Sequence, residues 1–434
     1  MSQKNIFKKN GPNNAKLEIN DHQQNVSGGF NLYLLFTVSW FLHLPARYEI
    51  LGVIRFDFIL VLILIGLAIF SRSAAHQEKN PSGKLLNILI IYIVLTIPLV
   101  EWPGSVIKIG IPNFTKAVVF YYFTVSFVKS EKNLRTFILV FIACQLFRII
   151  EPLYLHITEG YWGSIASMAD WQYLNRLSGA PNDIVNPNGL AFIICTVLPF
   201  LYFLAPLSRI YRLASLVLIP LAIYTLSLTG SRSGMVGMGA TIIGIVLKSK
   251  RRITLSVVIL IAGIASFPLM STNMQDRYLS IFGMGEKNVG TADDRMEGMI
   301  SQLQVVLRRP IFGHGLGTSP EANFNFVSSG PYVGSVMPAH NLYIEIGQEL
   351  GLIGVVLFLI FMKSIYSGFS ESKISVAKHD PGGFLQRLID ALQVWFLMNL
   401  IFSFASYGLS GYEWYLFGGL SAVIQRLAQE QSSD

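Results

Sequence analysis

The sequence predicts an all-α fold: a polytopic integral membrane protein of about twelve transmembrane helices, with one long outer loop that carries an amphipathic helix. Three observations predict it. Apolar residues make up 52% of the 434 positions and charged residues only 13%. Mean hydropathy is +0.51. Apolar runs recur along the chain at the roughly 16–22 residues needed to cross a hydrocarbon layer, and a soluble core cannot account for them.

Taken in order, residues 1–29 are polar, rich in Asn, Lys and Gln, and read as a disordered cytoplasmic tail. The run that follows lacks a small-residue cleavage site and reads as a retained helix, not a signal peptide. Runs at 30–45, 53–70, 85–101, 114–129 and 136–150 make an N-terminal group of membrane helices over 30–150. A first outer loop spans 151–188. Runs at 189–206, 213–228, 233–247 and 253–271 make a second group over 189–271, and a large outer loop covers 272–340. Runs at 341–362, 390–407 and 412–426 complete the C-terminal helices over 341–426, leaving 427–434 as a second cytoplasmic tail. No long internal repeat is visible.

Orientation follows from Lys and Arg, which short cytoplasmic connections retain. With a cytoplasmic N-terminus, the even-numbered turns hold Arg72, Lys79 and Lys84; Lys129, Lys132 and Arg135; Arg209 and Arg212; Lys248 and Lys250 to Arg252; then Lys363, Lys373, Lys378 and Arg387. Every such turn is basic. Topology therefore accounts for the formal charge of +8, and no nucleic-acid partner is implied. Cys144 and Cys195 both fall inside apolar runs, too few for a metal cluster and badly placed for a disulfide.

The two long loops carry the information, because connections longer than a fold needs are commonly functional. The first, "EGYWGSIASMADWQYLNRLSGAPNDIVNPNG", suits interface anchoring or stacking on sugar rings. In the second, "TADDRMEGMISQLQVVLRRP" reads as a helix capped by Asp293 or Asp294, with Met296, Met299, Ile300, Leu303, Val306 and Leu307 on its apolar face and an end before Pro310.

Three residues reach the outer face together. Arg232, in "LTGSRSGMVGMG", opens the eighth run. Arg295 stands in the first turn of the loop helix, and His340 opens the tenth run. A guanidinium forks onto phosphate oxygens and a helix N-terminus directs N–H groups the same way, so Arg232 with Ser233 is a candidate phosphate site. The plainer alternative for Arg232 is a snorkelling interfacial arginine. His340 shares a predicted helical face with Gly347, Gly351 and Gly354, which points its imidazole into the protein, where it can take up a proton near neutral pH. Its plainer reading is a cap. Glu345 lies deeper and needs a partner that the sequence does not name. His314, in "FGHGLG", reads as part of a glycine turn and His156 as interfacial. "GSRSG" has Arg where a hydrolase elbow needs Ser, and Asp293–Asp294 read as caps; no metal or other cofactor is implied.

The motifs "LTGSRSGMVGM", "DDRMEGMISQLQVVLRRPIFGHGLG" and "HNLYIEIGQELGLIG", in that order over about 185–360, resemble the O-antigen ligase and polymerase superfamily of GT-C-type membrane glycosyltransferases. The resemblance implies transfer of a glycan from undecaprenyl pyrophosphate on the periplasmic face of a bacterial inner membrane. It makes Arg232 and Arg295 the pyrophosphate-binding arginines, with Ser233 beside them, and His340 the essential histidine. The acceptor it implies is lipid A-core for a ligase, in lipopolysaccharide biosynthesis, or a second lipid-linked glycan for a repeat-unit polymerase. The chain departs from the family at "RMEGM", where a Trp often follows the second arginine. A polysaccharide transporter also has about twelve helices, but its ionisable residues spread through the membrane depth, whereas these gather on one face.

Overall fold

The computed structural model describes residues 28–70, 80–167, 173–269, 272–279, 284, 290–328, 333–334, 336–406 and 408–433. The expected N-terminal tail lies outside them except for Gly28 and Gly29, which already belong to a helix. The fold is a helical membrane bundle. Each predicted apolar run is helical: α1 Gly28–Leu42, α2 Phe56–Phe70, α3 Pro81–Thr96, α4 Ile111–Phe127, α5 Glu131–Glu159, α6 Pro187–Leu204, α7 Arg209–Thr229, α8 Arg232–Lys248 and α9 Arg252–Ser266. After the short α10 (Thr272–Leu279), α11 (Gly290–Arg308) and α12 (Ser319–Phe326) come α13 (Leu342–His379), α14 (Phe384–Phe402) and α15 (Tyr412–Ser433). Among the described residues six helices are long and apolar enough to cross a membrane.

Local chemistry sets several of these boundaries. Asn80, Ser130, Asn186 and Ser208 each cap a helix by accepting a backbone N–H with the side chain, and Pro81 and Pro187 stand at first helical positions, where no N–H is needed. α5 runs past the predicted end at 150 to Glu159, where Gly160 at φ 70° closes it. A small antiparallel hairpin, β1 (Gly163–Ser167) with β2 (Tyr173–Leu177), lies between α5 and α6.

The core lies where α6, α8, α13, α14 and α15 meet, around the fully buried Trp395, whose ring is 4.3 Å from that of Phe417 and 5.3 Å from that of Phe141. Burial is uneven: 72% of the apolar window of α6 is inside the bundle but only 22% of that of α7.

Two expectations are corrected. First, α11 begins at Gly290, so Asp293 and Asp294 stand inside the helix, not at its cap, and Arg295 lies beyond the first turn. Its packed face is also displaced from the predicted one. Gly298, Ser301, Gln302, Val305 and Val306 are buried, whereas Ile300, Leu303 and Leu307 are 50–69% exposed. This face meets α13, where Val306 lies against Gly347 and Gln348 Nε2 donates to the backbone carbonyl of Gln302.

Second, α13 is not one helix. Gly351 adopts φ 65° and ψ −172°, which breaks it about 14 Å along its axis from the start. The segment 310–318 fills the break: Pro310 O accepts from Leu352 N at 2.7 Å, His314 N donates to Gln348 O at 2.7 Å and Gly315 N to Glu349 O at 2.9 Å. Tyr92 adds a donor to Leu350 O at 2.7 Å. Irregular backbone at membrane depth survives only where protein supplies the lost partners, as here. Of the three glycines, Gly351 serves this insertion and Gly347 the close approach of α11. A Cβ on Gly351 would run into Ile311 O, one on Gly347 would stand 3.2 Å from Val306, and one on Gly354 would press against its own neighbour Leu350.

Candidate functional site

Two helix starts lie at one end of the bundle, each beside the C-terminal end of α14. α8 arrives after Gly230 turns the chain at φ 55°, and Ser231 caps it by accepting from Gly234 N at 3.0 Å. Arg232 is the first helical residue and is half-buried; Ser233 is buried, with its hydroxyl 3.2 Å from Ser231 Oγ. Further along α8, a Cβ on Gly237 would come within 3.1 Å of the Phe402 ring, so the helix lies close on α14.

α13 begins after Asn341, whose side-chain oxygen accepts from Tyr343 N at 2.9 Å and Ile344 N at 3.2 Å. Asn341 is thus the cap. His340 precedes the helix, as the run beginning at 341 predicts, but it is half-buried in non-helical backbone, which corrects the expectation that it shares the helix's glycine face. The segment is tied to the end of α14 by Leu342 N donating to Ser403 O at 3.0 Å and by Tyr343 Oη donating to Leu400 O at 3.0 Å. Just before His340, Ala339 N donates to Ser319 Oγ at 3.0 Å, Ser319 Oγ donates to Gln348 Oε1 at 2.7 Å, and Gln348 Nε2 donates to Asn323 Oδ1 at 2.7 Å and Gln302 O at 3.0 Å. A fully buried polar network therefore joins α11, α12 and α13 directly beneath the histidine.

Of the predicted site residues, the structure brings Arg232, Ser233 and His340 to this end. Arg295 is on α11, the helix joined to the same network through Gln302, but its side chain lies outside the described residues. Glu345 finds its partners in backbone: Gly408 N at 2.7 Å and Leu409 N at 3.0 Å. His314 is the turn residue expected, between Gly313 at φ 70° and Gly315 at φ 126°. It also holds the insertion in place, with Nδ1 3.0 Å from Glu101 Oε2 and Nε2 3.1 Å from Val305 O. His156 caps the end of α5 with Nδ1 2.9 Å from Tyr161 O and its ring against Trp162.

The residues that brace the turn before Arg232 are not evident from the sequence. Arg176, on β2, donates from Nε to Thr229 O at 2.8 Å and from Nη2 to Asn188 Oδ1 at 2.9 Å, and Ser231 Oγ donates to the same Asn188 oxygen at 2.8 Å. The "NPNG" stretch holds the signal for this, since Asn before Pro is a helix start and fixes Asn188 in its first turn. The loop leading there is anchored by Asp183, which accepts from Arg148 Nε at 2.7 Å and Nη2 at 3.0 Å and lies 3.2 Å from His43 Nδ1. Burial pushes the Asp183 carboxyl up, but the hydrogen bonds from His43 and Arg148 outweigh it and hold the group below the usual carboxylate range.

Residues 216–359 match the O-antigen ligase family, a stretch that holds both arginines, α11 and His340. That stretch, about a third of the chain, is similar to an O-antigen ligase domain. Among curated proteins none matches the chain. The activity that accompanies the domain is glycan ligation or polymerisation on lipid-linked glycans, by a multi-pass membrane protein. Among the described residues no three His, Cys, Asp or Glu side chains gather in the way a metal site requires.

Proposed function

We propose that the protein is an O-antigen ligase that transfers a glycan from undecaprenyl pyrophosphate to lipid A-core on the periplasmic face of the inner membrane, with both termini cytoplasmic and the loops 151–188 and 272–340 periplasmic. The observation that carries this reading is the gathering of Arg232 and His340 at one end of α14 within the matched domain. In a single displacement the acceptor hydroxyl attacks the anomeric carbon, its proton passes to His340, the bond to the pyrophosphate oxygen breaks, and undecaprenyl pyrophosphate leaves with inversion. Arg232 and Arg295 hold the departing diphosphate, and the start of α8, with Ser233, adds helix N–H groups. The sugar already carries a good leaving group, so charge stabilisation and one base suffice without a metal.

The ligase is favoured over a repeat-unit polymerase by α11. Its exposed Ile300, Leu303 and Leu307 offer one apolar ridge beside the site, suited to a bulky lipid-anchored acceptor that lies at the membrane surface. The test is transfer by the purified protein in excess EDTA. His340→Ala should abolish it, and Arg232→Lys should lose roughly a hundredfold or more, about 2–4 kcal/mol of transition-state binding, because an ammonium cannot reproduce the planar fork. Normal turnover by folded His340→Ala removes the histidine from the mechanism. Cells lacking the gene should make lipopolysaccharide with a bare core; a core bearing one repeat unit identifies the polymerase instead.

A further inference from the structure

At the opposite end of the bundle from Arg232 and His340, a cleft of about 970 Å³ opens between α6, α7, the end of α8 and the start of α14. That is the upper part of the size range of small-molecule sites, roughly 300–1,000 Å³. Prolines inside both α6 and α7, Pro199 and Pro220, accompany the opening, and α7 leaves most of its surface outside the bundle.

The lining divides by depth. Leu201, Phe203, Leu216 and Ile219 form an apolar floor within the two helices. The rim carries Arg212, Lys248, Lys250 and Arg387, all at or just beyond a helix end: the first turn of α7, the last residue of α8, the turn after it, and the first turn of α14. Helix ends of a membrane bundle stand at the level of lipid headgroups. Asp390 is the single carboxylate among the lining residues, and it is already held between Lys248 Nζ at 3.1 Å and Lys373 Nζ at 2.7 Å. Arg387 is fixed at the rim by donating from Nε to Gly382 O at 2.7 Å. An excess of positive charge above an apolar floor at headgroup depth has the amphipathy of one molecule type.

We infer that this cleft binds one anionic phospholipid, its phosphate among Arg212, Lys250 and Arg387 and its acyl chains along the floor between α6 and α7. A zwitterionic lipid would bring its own cation to a rim that already has cations in excess, and a free phosphate would leave the floor unused. The occupant also covers apolar surface of α7 that the bundle does not.

The full-length protein, purified in mild detergent, is titrated with phosphatidylglycerol, with phosphatidylcholine of the same chains, and with inorganic phosphate, reading bound lipid by native mass spectrometry and the melting midpoint in parallel. Phosphatidylglycerol should be retained at one per chain and raise the midpoint by several degrees. Arg212→Gln with Lys250→Gln, both at exposed positions, should weaken its binding roughly tenfold or more, while Arg212→Lys with Lys250→Arg should retain it. Equal retention of phosphatidylcholine overturns the charge requirement, equal protection by inorganic phosphate overturns the lipid, and undiminished binding in the Gln pair or loss in the charge-preserving pair overturns the assignment of these residues.

Discussion

The starts of α8 and α13 are both asparagine- or serine-capped, both reach the same end of α14, and both carry a predicted reactive side chain, yet they are held by different means. The turn before Arg232 is braced by side chains: Ser231, Asn188 and Arg176 bond to one another and to Thr229 O there. His340 is braced from below, through a buried network and a broken helix whose backbone is completed by the inserted segment 310–318. Side-chain bracing can be removed piecemeal. Backbone completion fails as a unit, because each carbonyl left without a donor in the interior costs its own desolvation.

The largest expected effect lies at the break. Gly351→Ala forces a side chain into left-handed φ and onto Ile311 O, so it should destabilise the protein by about 3 kcal/mol or more and cut transfer as severely as a direct change at the histidine. The melting midpoint and activity of the purified variant measure both, and near-native values for the two would show that the break does not support His340. The effect at the other start is smaller. Asn188→Ala leaves Arg176 and Ser231 without their shared acceptor and should cost on the order of 1–3 kcal/mol, with transfer falling while the α13 side keeps its amide protection in hydrogen exchange. Loss of protection across 342–350 as well would erase the distinction between the two bracings.

The smallest effect is a pH dependence confined to the α8 side. The folded carboxyl of Asp183 lies below the ordinary value of about 3.9, so its contribution is complete above that value and is lost as pH falls through the lower folded one. The midpoint of the wild type should therefore exceed that of Asp183→Asn at neutral pH, and the gap should close below about pH 4. A gap that persists unchanged in acid would mean that the carboxylate charge is not what holds the loop to Arg148.

The helices were legible in the sequence because each buries or wets a face of its own. An apolar run needs only its own residues to declare a span, and the runs at 189–206 and 213–228 do so equally well. That the first is buried in protein and the second left outside was not legible, since lipid and protein reward the same apolar residues. The face of α11 differs from the expected one for the converse reason: Ser301 and Gln302 are buried where α13 packs against this helix and Gln348 reaches the Gln302 carbonyl, and no property of α11 alone shows it. Gly351 had the composition of a packing stripe, and only the distant segment 310–318 turns it into a break. Of the candidate site, Arg232 and His340 were legible as candidates by residue type and position beside a helix start; Arg176 and Asn188 were not, because they hold the turn before Arg232, at Thr229 and Ser231, from 43 or more residues away in sequence.

The inserted segment precedes α13 in the chain, and this bears on how the protein is made. When residues 342–379 leave the ribosome, the segment that completes their backbone has already been synthesised. A helix with open carbonyls at Gln348, Glu349 and Leu350 would enter the bilayer at a penalty for each unsatisfied group. With 310–318 waiting beside it, insertion of α13 and closure of the break become a single assembly step, and the order of the chain sets the order of that assembly.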